Sequence, residues 1–311
     1  MRKTASAVGI AAVLAVAEAC ALPKVQRTGT APPTREQLAR LWIDPGSTPR
    51  NLDAGVGGNH VRPRLDARYE VIEKDTRGFS ITFRVRDSAG AEWNVKIGPE
   101  AQTEVVASRI LWGVGYHQLP SYFVERWIAV EGAAEQTLGG ARFRPRDFPA
   151  DGKGTWSWQE NPFVGTREYN GLLSLLMLIN STDLKNDNNE IVELDAPREG
   201  ATRWYVVKDL GASLGETGRV DPRRGYLEGF EREPFLHGRD GEYVDFAFRG
   251  RHQELLRRIP VADLKWACQR VLRLTDRQWR DAFSAANYDE DATARYVARI
   301  RAKAQEGLAL E

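Results

Sequence analysis

Two acidic clusters between residues 178 and 211 hold the side chains best suited to chemistry. The first reads Ser181-Thr182-Asp183-Leu184-Lys185-Asn186-Asp187-Asn188 and the second Val206-Val207-Lys208-Asp209-Leu210-Gly211. Asp183, with Lys185 two residues on and Asn188 five residues on, offers a base, a phosphate contact and a metal ligand. Asp209, at the end of a hydrophobic run, offers a second metal ligand. Such a set suits metal-dependent phosphoryl transfer, where positioning and charge neutralisation do most of the catalysis. Taken alone, the first cluster would serve equally as an Asx-rich turn that ends a helix.

Other chemistries fit less well. His60, His117, His237 and His252 are dispersed, with no spacing that suggests a zinc site. Ser213, in Gly211-Ala212-Ser213-Leu214-Gly215, lacks the strand-to-helix flank of a hydrolase nucleophile. Asp187 and Asp209 could be read as a glycosidase carboxylate pair, but that leaves Lys185 and Asn188 unexplained.

The surrounding pattern says what must position these groups. Residues 166–180 read as a strong helix whose core, 172–179, is apolar nearly all round, as in the central helix of a lobe. Asp183 follows its end. Strands at 190–194 and 204–207 then form a hairpin, which would bring Asp183, Asn188 and Asp209 to one end of a small sheet. Upstream, 69–72, 79–85 and 93–97 read as three antiparallel strands in meander order, joined by Asp/Gly turns. A helix over 100–111 follows directly, and two more strand-like runs lie at 121–130 and 141–143. Lys96, in the third strand, can pair with Glu104 on that helix, with Glu100 one turn earlier as the alternative partner. Such a pair would hold the ammonium where nucleotide phosphates meet it. On its own, Lys96 would be an ordinary edge-strand lysine.

Together these residues resemble the protein-kinase-like fold. Asp183-Leu184-Lys185-x-x-Asn188 matches the catalytic-loop spacing at all three functional positions, and Asp209-Leu210-Gly211 resembles the D-F-G segment with Leu in place of Phe. The resemblance covers roughly residues 66 to 285. The chain is also similar to exported bacterial proteins, lipoproteins among them, that share the TREYNG-to-DLGAS layout, a resemblance that brings no activity with it. The kinase resemblance implies an α+β, two-lobed fold: a small antiparallel-sheet N-lobe with one helix (66–150) and a mostly helical C-lobe (151–311). It implies that Asp183 orients or accepts the proton of an attacking hydroxyl and that Lys185 stabilises the transferring phosphoryl group. Asn188 and Asp209 would hold Mg²⁺, and Lys96, oriented by Glu104, would bind the α/β-phosphates of ATP. Arg219, Arg223 and Arg224 would face an acidic acceptor or simply be solvated. The sequence departs from the pattern in four places. Ser181-Thr182 replaces His-Arg, Gly78 alone marks the first hairpin, only eight residues separate Lys96 from Glu104, and no A-P-E-type anchor follows residue 211.

Bulk properties set the frame. A chain of 311 residues can bury a substantial core as one two-lobed domain or two small ones. A net charge of +1 with 28% charged residues leaves no polyanion-binding footprint, so nucleic acid is not an expected partner. Arg2 and Lys3 precede an apolar run at 7–17 that ends in Ala17-Glu18-Ala19-Cys20, which describes an export signal over residues 1–20. Cys20 fits a lipidated cysteine of a bacterial lipoprotein as well as it fits a plain secreted chain, and a lipid there would be the only membrane tether. The expected place is the periplasm or cell envelope, as a monomer. With only Cys20 and Cys268, no disulfide framework is present, and Cys268 reads as a small buried hydrophobe.

Residues 21–65 are rich in Pro, Gly, Thr and Arg and read as a stalk or wrapping arm with one short helix at 34–42, capped by Thr34 and Gln37. Gly55-Val56-Gly57-Gly58 would offer backbone N–H groups to a phosphate, but without a preceding strand or a strong following helix it reads as a loop. From 260 onward the chain is helical: one helix over 261–274, a second capped by Thr275 and Gln278, and a last one from 289 to about 305. The Arg295, Arg299, Arg301 and Lys303 face of the last helix is expected to be solvated. Two functional classes follow. One is an exported atypical kinase or related phosphotransferase acting on an unknown protein or small-molecule hydroxyl; the other is a catalytically silent kinase-like binding module.

Overall fold

The computed structural model describes residues 24–65, 67–148, 150–218 and 222–311; the stretch expected to be an export signal, with Cys20, and Arg219 lie outside these. In chain order the elements begin with β1 (Gln26–Arg27) and α1 (Arg35–Leu38). Next come β2 (Arg68–Asp75), β3 (Ile81–Asp87), β4 (Glu92–Ile97), α2 (Glu100–Gly113), β5 (Tyr122–Val124), β6 (Trp127–Glu131), β7 (Ala134–Leu138) and β8 (Ala141–Pro145). The middle of the chain supplies β9 (Ala150–Gly152), β10 (Glu160–Asn161), α3 (Arg167–Leu178), β11 (Asn189–Arg198) and β12 (Ala201–Val207). The remainder is α4 (Leu227–Arg232), β13 (Leu236–Asp240), β14 (Tyr243–Phe246), α5 (Gln253–Leu256), α6 (Val261–Leu272), α7 (Asp276–Ser284) and α8 (Glu290–Ala309). No helix among the described residues is long and apolar enough to cross a membrane.

Seven strands form one mixed sheet in the order β5-β8-β4-β3-β2-β6-β7. The meander β2-β3-β4 is antiparallel, as the turn spacing requires. The chain length between β5 and β6 then fixes the shape. Only Glu125 and Arg126 join them, although β6 lies five strand spacings from β5 in the sheet. Flat, that distance would be roughly 24 Å, whereas three residue steps reach about 11 Å at most. The sheet must therefore curl until its ends approach. Its concave side is filled by rings. The Trp127 centroid lies 5.6 Å from Phe83, 5.5 Å from Phe143 and 6.1 Å from Tyr69, all edge-on, the favoured arrangement of aromatic quadrupoles.

The period of two along each strand decides what faces outward. In β4, Trp93 and Val95 point into this core, so Asn94 and Lys96 point to the other face. In β8, Ala141 and Phe143 point inward, which puts Arg142 and Arg144 on the Lys96 face. The register pairs Lys96 with Arg142 and Asn94 with Arg144. Helix α2 lies against β4, β5 and β8 and is buried almost all round, from Glu100 to Gly113.

Two expectations for this region are corrected. The sheet has seven strands, because 121–130 is broken into β5 and β6 and because β7, polar and mostly exposed, gave no apolar alternation to read. Nor is it wholly antiparallel: β2 and β6 pair in parallel, Tyr69 beside Ala129, a consequence of the curl that brings β6 round to the far side of β2.

The helical part packs α3 against α6 and α6 against α8. Thr166 caps α3 by accepting from the Tyr169 N–H at 3.2 Å, and Thr275 and Gln278 form a reciprocal capping box on α7. Cys268 is fully buried in this core, and burial pushes its thiol up to about 12. The arm is tied down along its length. β1 pairs with β10, Trp42 Nε1 donates to Val114 O at 2.8 Å, and Leu41 and Leu52 are fully buried. Its helix stops at Leu38, short of 42, so that Leu41 and Trp42 can turn into the core. The last helix runs on to Ala309. Lys303 is not solvated: it is fully buried, donating to Asn180 Oδ1 at 2.8 Å, while Arg295 and Arg301 pair with Glu231 and Asp276.

Candidate active site

Lys96 is the node of the site. Its Nζ lies 2.9 Å from Glu100 Oε2, 3.2 Å from Glu104 Oε2 and 3.0 Å from Asp209 Oδ1. Both glutamates expected as alternatives are partners at once, because α2 begins directly after β4 and stacks them one turn apart. Burial works against the Lys96 ammonium, but Glu104, Asp209 and Glu100 outweigh it and hold its pKa above that of an ordinary lysine. Asp209 shows the converse. Burial would raise its pKa, and Lys96, Arg142 and a hydrogen bond from the Gly211 backbone bring it below the usual value.

A second tier of charge fixes the node. Glu104 Oε1 meets Arg142 Nε and Arg144 Nη2, each at 2.9 Å. Arg144 Nη2 also donates to Lys208 O at 2.8 Å, linking the sheet to the segment that leads from β12 into Asp209. Glu100 Oε1 meets Arg224 Nε at 2.8 Å, and Ser80 Oγ donates to Glu100 Oε2 at 2.9 Å. The cluster holds four cations (Lys96, Arg142, Arg144, Arg224) against three carboxylates (Glu100, Glu104, Asp209). A surplus of positive charge at a cleft favours an anionic ligand.

The loop after Asp209 is docked on the same helix. Thr103 Oγ1 donates to Gly211 O at 2.7 Å, and a Cβ on Gly211 would sit 2.5 Å from Glu100 Cβ. Only glycine lets the loop lie this close to α2. Leu210, between Asp209 and Gly211, is buried in the helical core.

Asp183, Lys185 and Asn188 form a second group. Lys185 Nζ donates to Asp183 Oδ2 at 2.8 Å, and Asn188 Nδ2 donates to Asp183 O at 2.7 Å, so that a cation at Asn188 would be met by its amide oxygen. Buried Leu184 pins the loop from below, its carbonyl 2.6 Å from His252 Nε2. The hairpin joins the two groups. β11 and β12 pair Asn189 with Val207, and the ladder continues with Lys208 N donating to Asn188 O at 2.8 Å. Asn188 and Asp209 therefore emerge at one end of the hairpin. The flanks are stapled as well: Leu214 N donates to Ile179 O at 2.8 Å, and Asn180 Nδ2 donates to Gly215 O at 2.7 Å. Asn180 is held at a φ of 56° and is the residue that buried Lys303 supports.

Beside the node lies a cavity of about 460 Å³ between the outward face of β8, the segment that follows it and the β11–β12 hairpin. Arg142, Arg144 and Arg146 line one side, Glu190, Val192 and Lys208 the other, with Phe148 between them. Among the described residues no three His, Cys, Asp or Glu side chains converge as metal ligands. A cation here would have two protein donors, Asp209 and Asn188, and would draw the rest from phosphate and water, the usual habit of Mg²⁺.

The motifs led to Lys96, Glu104, Asp209, Asp183, Lys185 and Asn188 but missed Arg142 and Arg144; Arg224, expected to face an acceptor or solvent, instead pairs with Glu100. The alternation Ala141-Arg142-Phe143-Arg144 carried a usable signal, two arginines on one strand face.

No family model matches the chain, and no curated protein matches it. Among solved structures it is similar to the crystal structure of a Helicobacter pylori proinflammatory kinase, CtkA. The identity is 10%, the overlap covers 72% of this chain and 94% of that one, and the TM-score is 0.31. An overlap so loose decides neither the fold nor the chemistry, and both rest on the geometry above.

Proposed function

We propose that the chain is an atypical, two-lobed kinase-like phosphotransferase that moves the γ-phosphoryl group of ATP to a hydroxyl acceptor with Mg²⁺. In this reading residues 66–150 form the N-lobe and 151–311 the C-lobe, and residues 21–65 are a wrapping arm. The export signal would place it at the cell envelope as a monomer, either soluble or tethered by a lipid on Cys20.

The observation that carries the proposal is the contact of Lys96 with both Glu104, 3.2 Å away, and Asp209, 3.0 Å away. It joins residues 113 positions apart in the order and pairing that nucleotide phosphates require. The Lys96 ammonium would neutralise phosphate oxygens, with Arg142 and Arg144 keeping Glu104 in place behind it. Base and ribose would occupy the cavity under β8. Asp209 and the Asn188 amide oxygen would hold Mg²⁺, which when bound offsets the charge on the β- and γ-phosphates. Asp183 would take the proton of the acceptor hydroxyl, and Lys185 would turn from Asp183 to the transferring group.

A second reading, a silent kinase-like binding module, is favoured by one feature. An ammonium has three N–H donors, and Lys96 already meets three carboxylates. Nucleotide must displace one of them. Thermal shift with MgATP separates the readings, with wild type compared to Asp209→Ala. The phosphotransferase reading expects a Mg²⁺-dependent rise in Tm that Asp209→Ala abolishes, and no shift in wild type would sink it. A shift without phosphate transfer, unaffected by Asp183→Ala, would establish the binding module instead.

A further inference from the structure

Arg109 lies on α2, five residues beyond Glu104, and its side chain leaves the helix on a different side from the cleft. It is 1% exposed, and its Nε has no hydrogen-bond partner. The guanidiniums around the Lys96 node meet carboxylates instead: buried Arg142 and half-buried Arg144 meet Glu104, and half-buried Arg224 meets Glu100. Arg109 has no ion pair among the described residues, only the Tyr122 ring, whose centroid lies 5.5 Å from its Cζ. Burial holds its pKa below that of an ordinary arginine, down to about 10. A charge buried without a partner is among the most costly features a fold can carry.

The surroundings are built to hold this guanidinium. Arg109 lines a cavity of about 220 Å³, with Asp53, Arg62, Tyr122, Glu125 and Asn287 among its walls. Gly55, at a φ of 68°, lies flat against it; a Cβ there would fall 1.6 Å from Arg109 Nη1. Tyr122 donates its hydroxyl to Gly58 O at 2.9 Å, which fixes the glycine loop as a wall. The loop's own amides are partly spent internally, Gly55 N on Asn51 O and Gly58 N on Gly55 O, each at 3.0 Å. Its contribution is therefore room for the arginine rather than a backbone phosphate cradle. The Asp53 carboxylate is already held by Arg62 at 3.0 Å.

We infer that this cavity is a binding site for a small oxyanion, a carboxylate or a phosphate group, taken by the Arg109 guanidinium. The planar guanidinium matches both groups with paired N–H donors, and the cavity admits a compact ligand only. The site is separate from the cleft, and it stands whether or not the cleft turns over ATP.

The test is thermal unfolding of the whole chain in sodium phosphate, sodium acetate or sodium chloride at matched ionic strength. Wild type is compared with Arg109→Met and Gly55→Ala. Phosphate or acetate raises the wild-type Tm by about 2–4 °C over chloride once the anion is near ten times its Kd, and the stronger of the two names the ligand class. Arg109→Met folds in chloride with a Tm equal to or above wild type, since it removes an unpaired buried charge, and it loses the anion response. Gly55→Ala, which pushes a methyl into the guanidinium, weakens that response at least tenfold. Equal Tm values in all three salts would overturn the inference. So would an anion response that survives in Arg109→Met, or a Tm loss in that variant that neither anion had offset in wild type.

Discussion

Lys96 and Asp183 are the two charged residues on which the proposed chemistry most depends, and they are held in opposite ways. Lys96 is buried, 9% exposed in its side chain, and surrounded by three carboxylates, two of which, Glu100 and Glu104, are themselves held by arginines. Asp183 is 29% exposed and paired with a single lysine that is 53% exposed. The first arrangement is a preorganised anchor in a low-dielectric setting, where a charge network is costly to build and resists distortion. The second is a partly solvated pair, with little energy stored in it. A phosphotransferase needs both kinds, one to hold a nucleotide still and one to meet an acceptor that comes and goes.

Breaking one side of this contrast should leave the other nearly untouched. The largest effect expected is on turnover. Asp183→Asn should lower phosphoryl transfer by about 10²–10⁴-fold while moving stability by no more than about 1 kcal/mol, read by steady-state kinetics and urea unfolding on the same preparation. Glu104→Ala is the mirror case. Removing the carboxylate that Lys96, Arg142 and Arg144 share should cost about 3–5 kcal/mol of stability, with MgATP binding lost as well. Next comes Gly211→Ala, whose methyl must push against Glu100. It should cost about 1–3 kcal/mol and weaken Mg²⁺-dependent nucleotide binding, measured calorimetrically.

The smallest effect sharpens the contrast by pH. Burial, with help from Arg299, lowers the Lys303 amine to about 7 in the folded chain from 10.5. Between these values the unfolded chain holds a proton that the folded one lacks, so this group makes stability rise as pH goes from about 7 to 10. Lys303→Met should flatten that rise in chemical unfolding at a series of pH values. A slope identical to wild type would show that Lys303 stays charged on Asn180.

Local pattern carried much of the architecture. The caps at Thr34 and Thr275, the apolar helix at 172–179 and the meander into Lys96 were all legible, because each depends on residues within one or two turns of chain. The Lys96–Glu104 contact was legible for the same reason, since a helix that starts beside a strand leaves few other partners. What escaped reading depends on distant chain. The parallel pairing of β2 with β6 follows from a two-residue link closing a curled sheet. Lys303 read as solvated because its own helix is charged all along that stretch; its partner, Asn180, lies 123 residues away. Arg109 escaped in the same way, as one cation inside an otherwise ordinary helix.

The account stands most directly on one titration: MgATP binding by calorimetry, with and without Mg²⁺, to wild type, Asp209→Ala and Asp183→Asn. It predicts Mg²⁺-dependent binding in wild type, loss in Asp209→Ala, and binding in Asp183→Asn within a few-fold of wild type although transfer has gone. Absence of Mg²⁺-dependent binding in wild type, or binding that Asp209→Ala leaves intact, would contradict it.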